Sequence, residues 1–160
     1  MMPPEPATRS WGSTVRIRAV VLVTGGRTVT GDLHLQSQAS LHSGPETPED
    51  ALNRSEGFFP LTDDSGRTSI LAKSQVLAVG IVAGLPEEDP DRRSAARLIA
   101  LRVELSDGSD FTGTVTSELP PDRRRAMDFL NLSPEFFELA SEGAVRLINR
   151  RHIRVATPLD

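Results

Sequence analysis

One ordered set of motifs occurs twice along these 160 residues, so the chain reads as a tandem duplication of a single small unit. The segment Val21–Leu33 (VLVTGGRTVTGDL) aligns with Val103–Val115 (VELSDGSDFTGTV), placing Gly26 opposite Gly108 and Gly31 opposite Gly113 at an offset of 82. Asp50-Ala51-Leu52-Asn53 aligns with Asp128-Phe129-Leu130-Asn131, and Phe58-Phe59-Pro60-Leu61 with Phe136-Phe137-Glu138-Leu139, both at an offset of 78. Ile70–Val76 aligns with Leu147–Ile153 at an offset of 77. The offset shrinks along the chain because the first copy carries longer loops, where insertions are tolerated. The spacing divides the chain into an N-terminal extension (1–13), a first unit (14–83), a linker (84–96) and a second unit (97–160).

Each block has a physical reading. Val15, Ile17, Ala19, Val21 and Val23 alternate with other residues, as do Ile99, Leu101, Val103 and Leu105, which predicts strands with one buried face. Gly25-Gly26 and Asp107-Gly108 then supply tight turns, since glycine accepts the positive φ that primed hairpins need. A second strand follows through Val29 and Leu33, or through Phe111 and Val115, and its internal glycine suggests a bulge or sharp bend. Thr47–Asn53 predicts a short helix with Thr47 as N-cap and Pro48 in the first turn, and Pro121–Leu130 is its counterpart. A third strand carries the Phe pair, and the last two strands of each copy (about 68–73 and 75–81; about 144–149 and 151–156) are expected to form a second hairpin. The acidic, Pro-bearing stretch Gly84–Asp91 separates the copies, and Gln36–Pro48 is a loop peculiar to the first. The expected fold is mainly β: two tandem five-stranded small barrels, each with one short helix.

Composition removes several classes of function. There is no cysteine, which excludes disulfides, thiol catalysis and cysteine–metal sites. Residues 1–90 hold 7 basic and 11 acidic groups and residues 91–160 hold 11 of each, so neither half has the basic excess of an ordinary phosphate-backbone binder. Near the N-terminus the longest apolar run is Ala19–Val23, behind a Pro-rich rather than basic start, unlike a secretory leader. Nowhere does the chain approach the roughly 20 apolar residues of a membrane-spanning helix. A cytoplasmic location is the resulting expectation.

A strand, a turn glycine, a second strand with glycine, an Asp-x-Leu-Asn and later a final pair of strands resembles the Sm-like proteins over about residues 16–79 and 98–156. That resemblance implies a strongly bent, five-stranded, SH3-like barrel. It also implies that RNA binding, if inherited, would use Asn53 and Asn131 on a base and Asp50 and Asp128 to hold the loop, with Lys73, Arg150 or Arg151 meeting the nucleotide. The sequence departs from that pattern in several places, among them the long inserted loop ahead of Asp50-Ala51-Leu52-Asn53. Lys73-Ser74 and Arg150-Arg151 stand where the family has Arg-Gly, and the helix falls between strands two and three rather than before the first. On the residues alone, Asp and Asn at these spacings cap turns through their side chains, which is the commoner use.

Chemistry-bearing patterns are sparse. His34, His42 and His152 share no ligand spacing with one another or with carboxylates, and His34 and His42 are expected at the surface. No nucleophile elbow, phosphate-binding loop or dinucleotide fingerprint is present. Asp63-Asp64-Ser65-Gly66 lacks calcium-loop spacing and predicts a hairpin turn. Arg93–Arg97 has the Arg-x-x-x-Arg form of the PilZ domains that bind cyclic di-GMP, but the glycine of the second PilZ motif falls one place late, at Gly113. Arg123, Arg124 and Arg125, with Arg146, Arg150, Arg151 and Arg154, form a candidate patch for an anionic partner, protein or lipid headgroup. Trp11 marks a candidate docking arm in the N-terminal extension. The expectation is a non-catalytic scaffolding or accessory subunit with no cofactor, metal or small-molecule substrate, docking to a larger protein assembly. A membrane complex approached from its cytoplasmic side is one such assembly, and peripheral membrane association suits the Arg cluster. An Sm-like RNA binder is the alternative.

Overall fold

A computed structural model of the chain describes residues 14–39, 44–82, 97–117 and 125–159. The expected extension (1–13) and linker (84–96) lie outside the described residues. In the first half, β1 (Thr14–Val23) and β2 (Arg27–Gln36) precede a short helix α1 (Pro48–Leu52), then come β3 (Phe58–Thr62), β4 (Thr68–Ala72), a 3-10 turn (Lys73–Gln75) and β5 (Val76–Ile81). The second half runs in the same order: β6 (Arg97–Leu105), β7 (Asp110–Ser117), α2 (Arg125–Leu132), β8 (Phe136–Ser141), β9 (Ala144–Asn149), a 3-10 turn (Arg150–His152) and β10 (Ile153–Pro158). The mainly-β expectation holds, with a helix between the second and third strands of each half.

All ten strands belong to one antiparallel sheet in the order β10-β6-β7-β8-β9-β5-β1-β2-β3-β4. This corrects the expected second hairpins. β4 and β5 do not pair, and neither do β9 and β10. The 3-10 turn between them redirects the chain, so β5 returns to β1 with Val21 opposite Val79, and β10 returns to β6 with Val103 opposite Ala156. Both ladders carry one irregularity, between Leu22 and Val23 and between Ile153 and Val155. The halves meet where β5 pairs with β9, in the register Ala78 to Ile148, Val79 to Leu147, Gly80 to Arg146 and Ile81 to Val145.

The turns follow from local chemistry. Gly25 and Gly26 join β1 to β2 at φ +84° and +74°, and Gly108 joins β6 to β7 at +90°. Asp63 accepts from Ser65 N, Ser65 Oγ and Arg67 N, while Gly66 takes φ +84°, which makes Asp63–Gly66 the expected hairpin turn. Of the expected bulge or sharp bend at the strand glycines, the ladders show no bulge. The register of β1 with β2 is unbroken through Gly31. A Cβ there would lie 2.8 Å from Thr62 O, and one at Gly113 would lie 2.5 Å from Ala140 O. Glycine at these positions lets the third strand's backbone cross closely over the second.

Two hydrophobic cores interlock across the seam. The first gathers Ile17, Val21, Leu33, Leu52, Phe59, Leu61 and Val79, and also takes Phe136 and Leu147 from the second half. The second gathers Leu101, Val103, Leu105, Val115, Phe137, Leu139 and Ile148, and takes Leu77 and Ala78 from the first. β5 is accordingly buried on both faces, as its unbroken apolar run requires.

Candidate functional site

The polar residues singled out from the sequence sit mostly at the seam. α1 opens on Thr47, whose hydroxyl accepts from Asp50 N while the Asp50 carboxylate accepts from Thr47 N, a reciprocal cap that fixes the helix. The helix ends at Asn53, and there its amide reaches the other half: Nδ2 donates to Phe136 O at 2.8 Å, and Oδ1 accepts from Phe136 N at 2.9 Å. Asn53 therefore substitutes for a neighbouring strand at the start of β8. Its aligned counterpart Asn131 is exposed, and its side chain has no hydrogen-bond partner among the described residues.

Lys73 is buried, and Nζ donates to Arg54 O just beyond the end of α1; burial pushes the ammonium below the ordinary lysine range. Arg150, aligned with Lys73, makes the corresponding contact in the second half, donating from Nη1 to the carbonyls of Leu130, Asn131 and Ser133. Arg151 is exposed, with Nε 3.6 Å from Glu135 Oε1. Arg146 stacks its guanidinium 4.7 Å over the Phe111 ring. Arg154 pairs with Glu104 at 3.1 Å. Arg123, Arg124 and Trp11 lie outside the described residues. Asn53, Lys73 and Arg150 thus hold backbone of this chain, while Asn131 and Arg151 remain exposed.

Sequence reasoning missed Asn149, which is buried and aligned with Ala72. Its Nδ2 donates to Lys73 O and Val76 O, and its Oδ1 accepts from Arg151 N, so one amide holds the 3-10 turns of both halves. His152 adds a further bond across the seam: Nε2 lies 2.7 Å from Ser74 O, and Nδ1 3.0 Å from Ser106 Oγ. A carbonyl only accepts, so the proton sits on Nε2. The expected surface placement of the histidines is corrected for His34, which is half-buried and bonded to Thr62 Oγ1, its pKa lowered chiefly by burial. His42 lies outside the described residues.

Among the described residues no three His, Asp or Glu side chains gather where they would hold a metal ion. An open cleft lined by Gln36, Glu46, Asp50 and Arg54 holds the buried Glu46 carboxylate, which accepts from Gln36 N and is paired with the Arg54 guanidinium. Asp63 and Asp107 are held below the usual carboxylate range, first by their serine hydroxyl bonds and then by backbone N–H groups, so these shifts reflect turn chemistry.

The two ends of the sheet contrast with the seam. On the β4 side Phe58 is 61% exposed and Ile70 64%, whereas their aligned partners Phe136 and Leu147 are 0% exposed. Beside them runs a second open cleft lined by Val23, Arg27, Val29, Ser69, Ile70 and Leu71. On the β10 side Val155 is 49% exposed, against 3% for its aligned partner Ala78. Leu132 and Met127, near Asn131, are also exposed. Comparison of the chain with protein-family models, curated proteins and solved structures gives no match.

Proposed function

We propose that this chain is a non-catalytic scaffolding or accessory subunit, two Sm-like small barrels joined edge to edge, that docks to a larger cytoplasmic protein assembly. Each half has one strand order, β5-β1-β2-β3-β4 and β10-β6-β7-β8-β9, which suits a duplicated small barrel. The observation that carries the docking role is the β4 edge. β4 pairs with β3 and has no second strand partner among the described residues, and its Ile70 and the Phe58 of β3 are exposed beside an open cleft, the kind of edge to which a partner strand adds.

The RNA-binding alternative loses support where Asn53 and Lys73 direct their polar atoms to this chain's own backbone. A mild low-salt pull-down from native cells, run with and without nuclease and with an Ile70→Glu bait beside the natural chain, separates the two. The scaffold reading expects a stoichiometric protein partner that survives nuclease and is lost with Ile70→Glu. Recovery dominated by RNA, abolished by nuclease and indifferent to Ile70→Glu, would overturn it.

A further inference from the structure

We propose that the β4 edge is occupied by the β10 strand of a second copy of this chain, joined head to tail. The inference rests on the reading of the chain as two equivalent units, and it names one partner of the edge. The internal seam supplies the template. There, the last strand of the first unit (β5) pairs with the fourth strand of the second (β9). The edge strands, each with one strand partner among the described residues, are the other two members of the same classes, β4 and β10. Carrying the seam's register across by the offset of 77 places Val155 of the second copy opposite Leu71, Ala156 opposite Ile70, Thr157 opposite Ser69 and Pro158 opposite Thr68.

The backbone is ready for that pairing. Lys73 N donates to Gly57 O, the bond that flanks a non-hydrogen-bonded pair, so the Phe58–Ala72 pair leaves the N–H and C=O of Ile70 and Thr68 facing outward. On the other edge Leu159 N donates to Ala100 O, which by the same argument turns Ala156 outward. The side chains agree. Phe58 and Ile70 are exposed where Phe136 and Leu147 are buried in the first core, and Val155 is exposed where Ala78 is buried in the second.

The clamp is present as well. Phe58 N and C=O face away from β4, and the ladder from β2 reaches β3 only at Leu61 and Thr62. Asn131 of the second copy stands where Asn53 stands in the internal seam, its amide without a partner among the described residues. Head-to-tail pairing brings that amide to the Phe58 backbone.

Three substitutions make the external joint weaker than the internal one. Pro158 replaces Ile81 and removes an outward N–H, and the Glu104–Arg154 pair replaces Leu22 and Leu77. Assembly is therefore reversible. Because the joint is heterologous, it builds either a ring or a filament.

The test uses the full-length chain and mass by light scattering across a concentration series. The natural chain is expected to rise from 17.4 kDa towards whole multiples. Ile70→Glu and Val155→Glu each spoil one edge, so each alone is expected to stay at monomer mass, while an equimolar mixture forms a one-to-one dimer through the two intact edges. A second measurement exploits the absence of native cysteine. Ser69 and Thr157 would form a non-hydrogen-bonded pair with Cα atoms about 4.5 Å apart, within disulfide reach. The double variant Ser69→Cys/Thr157→Cys is expected to give an oxidised ladder of multimers, with no ladder from either single variant. A natural chain that stays at monomer mass at every concentration, a mixture that fails to dimerise, or no ladder from the double variant would each overturn the proposal. A different protein captured at β4 by a chain that is itself monomeric would overturn self-assembly and leave the scaffold reading standing. Self-assembly without any other partner would do the reverse.

Discussion

Asn53→Ala tests the seam most directly, because the aligned residue Asn131 supplies an internal control. The Asn53 amide makes two hydrogen bonds to the backbone of Phe136, a residue with no solvent exposure. Alanine removes both and leaves a buried N–H and C=O unpaired. Two modest net hydrogen bonds plus part of the desolvation cost come to about 3 kcal/mol. For a chain of this size that corresponds to a fall in Tm of roughly 6–12 °C. Asn131→Ala removes no side-chain bond among the described residues and should stay within about 0.5 kcal/mol of the natural chain at dilute concentration. Urea unfolding followed by circular dichroism measures both. Equal losses for the two variants, or a loss below about 0.5 kcal/mol for Asn53→Ala, would refute the claim that this amide stands in for a strand at the seam.

Other perturbations follow from the same contacts. Gly113→Ala places a Cβ 2.5 Å from Ala140 O and should cost about 3 kcal/mol or more in thermal melts. Gly57→Ala, with nothing within 4 Å, should be neutral or gain up to about 1 kcal/mol. Asn149→Ala removes the amide that holds both 3-10 turns and should lower stability by roughly 2–4 kcal/mol in urea titrations. Asp63 and Asp107 have folded-state pKa values below their ordinary 3.8, so their contribution is present above that value and is lost as pH falls through the depressed ones. Asp63→Asn/Asp107→Asn should therefore flatten the acid limb of the pH–stability curve and leave its alkaline side unchanged.

Local chemistry announced most of the elements. Val15 to Val23 alternates because one face of β1 is buried, the GG and DG pairs mark turns that require positive φ, and Thr47-Pro48 opens α1 as its cap chemistry dictates. The pairing of β5 with β9 was harder to see, although a trace of it is present. Val76–Ile81 is apolar almost without a break, as a strand covered on both faces must be. The aligned β10 interleaves Arg154 and Thr157 and ends in Pro158, as an edge strand does. Reading those two strands as equals concealed which one lies in the middle of the sheet. The clamp by Asn53 left no local trace, because its partner is 83 positions away and bonds through backbone that any residue supplies. Asp50-x-x-Asn53 looked like a recognition motif because the same amide geometry that reads a base also completes a strand.

The reach from Asn53 to Phe136 also matters while the chain is being made. At ordinary elongation rates those 83 residues take roughly 4–17 s to synthesise. From the end of β5 at Ile81 through the rest of that interval the nascent first half has β5 complete and β9 absent, with Leu77 and Ala78 lacking the core that later covers them. A strand destined for the centre of the sheet is temporarily its edge, at the stage when a crowded polysome offers neighbouring copies of the same sequence. The pace of translation through the second half therefore sets how long each chain remains open to the wrong neighbour.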